Sequence, residues 1–184
     1  MWHRRNILAQ GVILGGATLL AGCGFRPLYG PDGARGGGDD FRGEPRLVQE
    51  MAAVRVANIP ERGGQLLRRM LERRFESLSP GTAARYQLQT SFGVTTEALG
   101  FLRDGNTSRV RVIGSAPWTL TDGGTPPTVL GRGLARTIDS YNIPTLQFFA
   151  ADMSREDTER RMIEELGDRI VLGVAAALRR RLQA

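Results

Sequence analysis

Lysine is absent from the 184-residue chain, histidine occurs once, at His3, and cysteine once, at Cys23. All 25 basic residues are therefore arginine, set against 19 acids for a net charge of +6 and a pI near 10.8. Each absence excludes a chemistry. There is no Schiff-base lysine. Beyond residue 23 there is no Ser-His-Asp or Cys-His nucleophile and no zinc site that needs His or several Cys. One cysteine also excludes an internal disulfide. The enzyme reading to weigh is a pair of carboxylates acting on cell-wall glycan. Seven of the 19 acids crowd between Asp152 and Asp168, interleaved with arginines, and Asp104 and Asp122 sit in turn sequences, where Asp is ordinarily structural. The expectation is a protein that is not an enzyme, with no cofactor and no metal site. The length suits one domain, or one domain with a tail.

The two single residues lie in a stretch with its own logic. Met-Trp-His-Arg-Arg-Asn is followed by an apolar run from Ile7 to Leu20, then Leu20-Ala21-Gly22-Cys23. A basic start, a short apolar run and a small-residue boundary make a signal peptide over residues 1–22. The run is too short for a membrane span and carries Gln10, Gly11, Gly15 and Gly16. Leu-Ala-Gly-Cys resembles the bacterial lipobox, in which the cysteine thiol is alkylated with diacylglycerol before cleavage. Cys23 is thus the expected lipid-attachment residue, and several acyl chains together hold a domain firmly on a bilayer. Gly24, in place of an aspartate, favours delivery to the periplasmic face of the outer membrane. Arg4-Arg5 leaves general secretion and twin-arginine export both open.

Cleavage leaves 162 residues and lowers the net charge to +4. Residues 23–45 follow as a Gly- and Pro-rich tether, with seven glycines and three prolines after the cysteine. As a flexible coil it spans about 25 Å. The folded domain is expected over 46–184. Met51 to Ile59 reads as a strand and Glu61 to Ser79 as a helix, with Leu67, Met70, Leu71, Phe75 and Leu78 on one face and Arg74 at its margin. Tyr86 to Thr96 and Ser108 to Thr121 alternate as half-buried strands, and Thr128 to Asp139 reads as a fourth. Asp104-Gly105-Asn106 and Asp122-Gly123-Gly124 supply turns. A closing helix begins near Met153 with a Ser154–Asp157 capping box and buries Ile163, Leu166, Ile170, Val174 and Ala177. Glu156–Arg160, Asp157–Arg161 and Glu165–Arg169 are spaced as helical ion pairs. The expected fold is an α+β two-layer sandwich, a four-stranded sheet with two helices on one face in the order β-α-β-β-β-α.

Cys23-Gly-Phe-Arg-Pro-Leu-Tyr-Gly30 resembles the start of the mature LPS-assembly lipoproteins of the LptE family in their alphaproteobacterial form. The resemblance continues through Val54-Arg-Val-Ala-Asn-Ile-Pro60, Arg85-Tyr-Gln-Leu88, Thr107-Ser-Arg109 and Ser140-Tyr-Asn-Ile-Pro144. It implies a lipoprotein at the inner leaflet of the outer membrane that plugs a β-barrel LPS translocon, an LptD-like partner, and contacts lipopolysaccharide. It also implies a sheet of four strands under two helices. The alternative is an auxiliary lipoprotein of an ABC-type phospholipid-transport system, of similar size and anchorage.

The arginines carry two readings. A guanidinium fork matches phosphate, yet an Ala-, Gly- and Arg-rich chain without lysine is also what GC-rich coding produces. Nucleic acid is not an expected partner, because the arginines are not interleaved with stacking aromatics and the leader exports the chain. Arg109 and Arg111 share one face of the third strand, and Arg132 and Arg136 share the face of the fourth that opposes Gly131, Gly133 and Ala135. All four are candidates for the phosphates of lipid A, with Leu130 and Leu134 between them for acyl chains; the other reading is a solvated sheet face. Trp118 is expected in the core or at its rim. Pro117 suggests an edge strand or a bulge.

Overall fold

A computed structural model describes residues 44–144 and 148–183. The signal peptide, Cys23 and the tether through residue 43 lie outside the described residues. The elements are α1 (Pro45–Ala52), β1 (Val54–Val56), α2 (Arg62–Glu76), β2 (Tyr86–Thr90), β3 (Gly93–Phe101), β4 (Thr107–Asp122), β5 (Val129–Asn142) and α3 (Phe148–Gln183). The fold is α+β, with three helices against one sheet.

β4 is the spine of that sheet. Along one side it pairs antiparallel with β5, from Arg109↔Asn142 to Thr121↔Val129. Its other side is shared: β3 pairs with its first half, up to Gly93↔Ser115, and β2 with its second, from Thr90↔Trp118 to Tyr86↔Asp122. β1 adds a short parallel strand outside β2. The expectation of an edge strand at Pro117 is therefore corrected, since β4 is central.

The same proline explains why five strands stand where four were expected. Thr90↔Trp118 and Gly93↔Ser115 belong to one register, so β2 and β3 are one line of chain interrupted at Ser91 and Phe92. Opposite the gap the Pro117 carbonyl accepts a 3.3 Å bond from the Ser91 N–H. Carbonyl and N–H of one residue point to the same side of an antiparallel strand, so the return bond would need the N–H that proline lacks. The ladder opens for that one exchange and then resumes.

Alternation then sorts the faces. Val110, Val112, Ala116, Trp118 and Leu120 of β4 are buried. With Tyr86 and Leu88 of β2 and Ala135 of β5 they form the floor on which the helices lie. α2 buries Leu67, Met70, Leu71 and Phe75, and Arg74 reaches across to Asp168 at 2.8 Å. α3 buries Ile163, Leu166, Ile170, Val174 and Ala177. It runs along β5, as the Arg161–Asp139 ion pair (2.7 Å) and the Thr137–Glu165 hydrogen bond show. Gly131 and Gly133 are on this core face, where a Cβ at Gly131 would lie 2.6 Å from Ala177 Cβ.

Three local expectations are corrected. Residues 45–52 form a helix, not tether and strand, because Leu47 and Met51 lie one turn apart and both are buried. The closing helix starts at Phe148, so Ser154 is inside it and caps nothing; its carbonyl accepts from the Thr158 hydroxyl at 2.8 Å. Of the expected helical pairs, Glu165–Arg169 forms at 2.6 Å, whereas Arg161 turns to Asp139 and Arg160 bonds Asp157 at i,i+3. For Arg161 the strand-borne Asp139 competes successfully with a surface i,i+4 partner, which is worth only a few tenths of a kcal/mol.

Candidate functional site

Among the described residues, no helix lies on the second face of the sheet. From one end to the other, its β4 positions are Arg109, Arg111, Ile113, Ser115, Pro117 and Thr119. Their β5 partners are Asn142, Ser140, Ile138, Arg136, Leu134 and Arg132. β3 contributes Glu97 beside Arg111 and Thr95 beside Ile113, and β2 contributes Gln89 beside Thr119. All four candidate arginines are exposed on this one face.

They do not form one cluster. Arg109 and Arg111 occupy one end and are engaged there: Arg111 pairs with Glu97 at 3.3 Å, and Arg109 donates to the Ser140 hydroxyl at 3.1 Å. Arg132 and Arg136 lie four residues apart on β5, about 13 Å along the strand. Neither has an ion-pair partner among the described residues. Between and beside them stand exposed Leu134 and Ile138, at 63% and 60% exposure, where a solvated face would have polar residues.

Leu130 departs from expectation. The register slips between Leu120 and Thr121, leaving Leu130 as the extra residue of a bulge, and it packs against the core. Ile138 takes its place on the bare face, directly opposite Ile113. Sequence alone does not single out Ile138, whose importance emerges only once the register brings Ile113 beside it. Below them the break at Pro117 opens a shallow hollow of 480 Å³, whose lining includes Gln89, Ser91, Pro117, Thr119 and Arg132.

Two of the acidic residues, Asp122 and Glu165, are tied into the scaffold. Asp122 accepts from the Thr128 N–H at 2.7 Å and the Gly124 N–H at 3.2 Å, and the Thr128 bond leads in holding its carboxyl below the ordinary value. Glu165 is likewise lowered, first by the Thr137 hydroxyl and then by Arg169. Among the described residues, no group of three or more His, Cys, Asp or Glu is placed to hold a metal ion, and no helix is long and apolar enough to cross a membrane. The arrangement equips the face for binding: fixed cations for anionic groups, with aliphatic surface between them.

This α+β fold is shared with solved bacterial lipoproteins. A lipoprotein of Caulobacter crescentus CB15 is similar at 23% identity and TM-score 0.55, over 73% of this chain and 96% of that one. The rare lipoprotein B of Shewanella oneidensis is similar at 15% identity and TM-score 0.51, over 71% and 97%. A minor lipoprotein of Acinetobacter baumannii gives 13% and 0.53, over 68% and 92%. At these identities the likeness establishes the fold. No curated protein matches the chain. Residues 51–172 match the family model of LptE, lipopolysaccharide-assembly. The chain belongs to the LptE family of lipopolysaccharide-assembly lipoproteins.

Proposed function

We propose that this chain is an outer-membrane lipoprotein, anchored through Cys23 on the periplasmic side, that seats in a β-barrel LPS translocon and supports its assembly. In this reading it does no catalysis. It holds lipopolysaccharide on the bare sheet face while the molecule passes to the outer leaflet, with Arg132 and Arg136 on phosphates and Leu134 and Ile138 against acyl chains. Arg109 and Arg111 form a second, weaker contact, because each must first leave a partner on its own chain. The family supports the lipopolysaccharide role, and the LptD-like barrel is the partner such a role requires.

The observation that carries the reading is a pair of exposed arginines that, among the described residues, have no acidic partners and flank exposed aliphatic side chains on a face no described helix covers. A soluble protein gains nothing in solubility from Leu134 and Ile138, whereas an amphiphile with phosphates and acyl chains uses both kinds of residue. The test is lipopolysaccharide binding to the chain from Gly24 onward. Arg132→Glu with Arg136→Glu is expected to weaken binding at least about tenfold and to reduce its salt dependence; Arg109→Glu with Arg111→Glu should act less. Wild-type binding by a folded Arg132/Arg136 variant overturns the lipid contact. Co-purification of the anchored protein with a transporter complex instead of a barrel overturns the plug.

A further inference from the structure

The three arginines Arg179, Arg180 and Arg181 close α3, and no acid follows Asp168 in the sequence. The stretch of the same helix from Phe148 to Asp168 holds all seven acids between Asp152 and Asp168. α3 is therefore polarised along its length of about 54 Å, acidic toward one end of the domain and basic toward the other. The basic end gathers more than the helix terminus. Arg181 lies over the Tyr86 ring at 5.6 Å and Arg85 lies over it at 5.7 Å. Arg46 is exposed in the first turn of α1, and Leu182 is 45% exposed beside the arginines. The acids at this end are already occupied. Glu44 takes a bidentate hold from Arg179 at 2.8–3.0 Å, Glu50 is engaged by Arg85 and the Tyr86 hydroxyl, and Asp122 is bound to turn amides.

We infer that this end of the domain is a docking surface for a bilayer containing anionic phospholipid, with the strands and α3 standing on end above it. Two observations commit the surface to that occupant. Its exposed cations complement a field of phosphates, and Arg46 and Arg180 have no ion-pair partner among the described residues. The chain also leaves the domain here: Glu44, clamped by Arg179, is the residue from which 20 residues run back to Gly24. A tether that begins at the basic end brings that end to whatever surface holds Cys23. A basic patch added to a lipid anchor turns a loose attachment into an oriented one. The inference goes beyond the lipopolysaccharide reading and uses different residues from the bare sheet face.

The test uses the chain from Gly24 onward, which lacks the anchor but contains every described residue. Sedimentation with vesicles of phosphatidylglycerol and phosphatidylcholine is compared with phosphatidylcholine alone. Binding is expected only to the anionic vesicles and should fall with added salt. Each arginine contributes about fivefold near such a surface, so Arg46→Gln, Arg180→Gln and Arg181→Gln together should cost about a hundredfold. A second readout does not depend on that triple variant folding. An environment-sensitive dye on Leu182→Cys should shift to the blue on anionic vesicles, and the same dye on Leu134→Cys should not. Equal binding to both vesicles, wild-type binding by the folded triple variant, or a shift at residue 134 without one at 182 would overturn the inference.

Discussion

The indole of Trp118 occupies the volume that a side chain at residue 173 would need. A Cβ on Gly173 would fall against the ring, and one on Gly133 would lie 2.8 Å from the same Cζ2 atom. Trp118 is thus held between a glycine of α3 and a glycine of the neighbouring strand, and is 8% exposed. Two backbones come close enough to grip one large ring because neither carries a side chain at the contact.

Enlarging either glycine should therefore act like overpacking a core. Gly173→Val is expected to destabilise the domain by about 1–3 kcal/mol, and Trp118→Ala by about 3–5 kcal/mol. Urea unfolding monitored by circular dichroism measures both. A Gly173→Val protein as stable as wild type would show that α3 can shift away from β4 without cost.

The Thr137–Glu165 contact gives a pH signature. The Thr137 hydroxyl lowers the Glu165 carboxyl below its ordinary value, so the contact stabilises the fold above the unfolded carboxylate range. That contribution fades as pH falls through the folded value. Thr137→Val is expected to move Glu165 back toward an ordinary carboxylate and to cost about 1 kcal/mol at neutral pH, with the difference from wild type shrinking in acid. Carboxyl-carbon titration by NMR follows the first effect and unfolding at two pH values the second. A deficit that persists unchanged at low pH would assign it to packing alone.

At Pro117 the ladder lacks one donor, so Pro117→Thr should supply it. Hydrogen exchange is expected to reveal a new slowly exchanging amide at residue 117 and slower exchange at Ser91 and Phe92. Net stability should change little, because a new hydrogen bond contributes about 1 kcal/mol while losing proline loosens the unfolded chain by about 0.4–1 kcal/mol. Rapid exchange at residue 117 would mean that something other than the missing N–H keeps the strands apart.

Clipping the Glu44–Arg179 contact should free the first turn of α1 without unfolding the domain. Both side chains are substantially exposed, and exposed ion pairs contribute at most about 1 kcal/mol. Arg179→Gln is expected to leave the thermal midpoint within a few degrees of wild type and to speed amide exchange at residues 45–49. A large fall in the midpoint would show that α1 is held chiefly by this pair and not by burial of Leu47 and Met51.

The strand faces were legible before the structure because alternation needs only a period of two. Val110, Val112, Trp118 and Leu120 fall in phase, and so do Gly131, Gly133 and Ala135. What alternation cannot supply is register. Leu130 was placed between arginines because nothing local signals a bulge at Leu120; only the pairing of Leu120 with Gly131 and Thr121 with Val129 turns it inward. The break at Pro117 was visible as a residue, but its effect depended on which side of β4 its carbonyl faces. α1 had a readable signature, proline at its first position with Leu47 and Met51 a turn apart, overshadowed by the Gly- and Pro-rich stretch before it. The arginine site was legible as a face and not as a distribution, since whether Arg111 or Arg136 is free depends on Glu97 arriving from another strand.

The central place of β4 also governs when the domain can form. β1, β2 and β3 all precede it in the sequence, and apart from the three-residue β1–β2 pair they have no lattice to join until residues 107–122 are present. The floor of the core is then incomplete until β5 adds its edge, and its roof until α3 arrives last. A chain emerging vectorially, N-terminus first, must therefore remain open for more than half its length. Long-range closure of this kind is slow and leaves apolar strands uncovered in the interval. The domain is thus committed to its fold only after most of its chain is available.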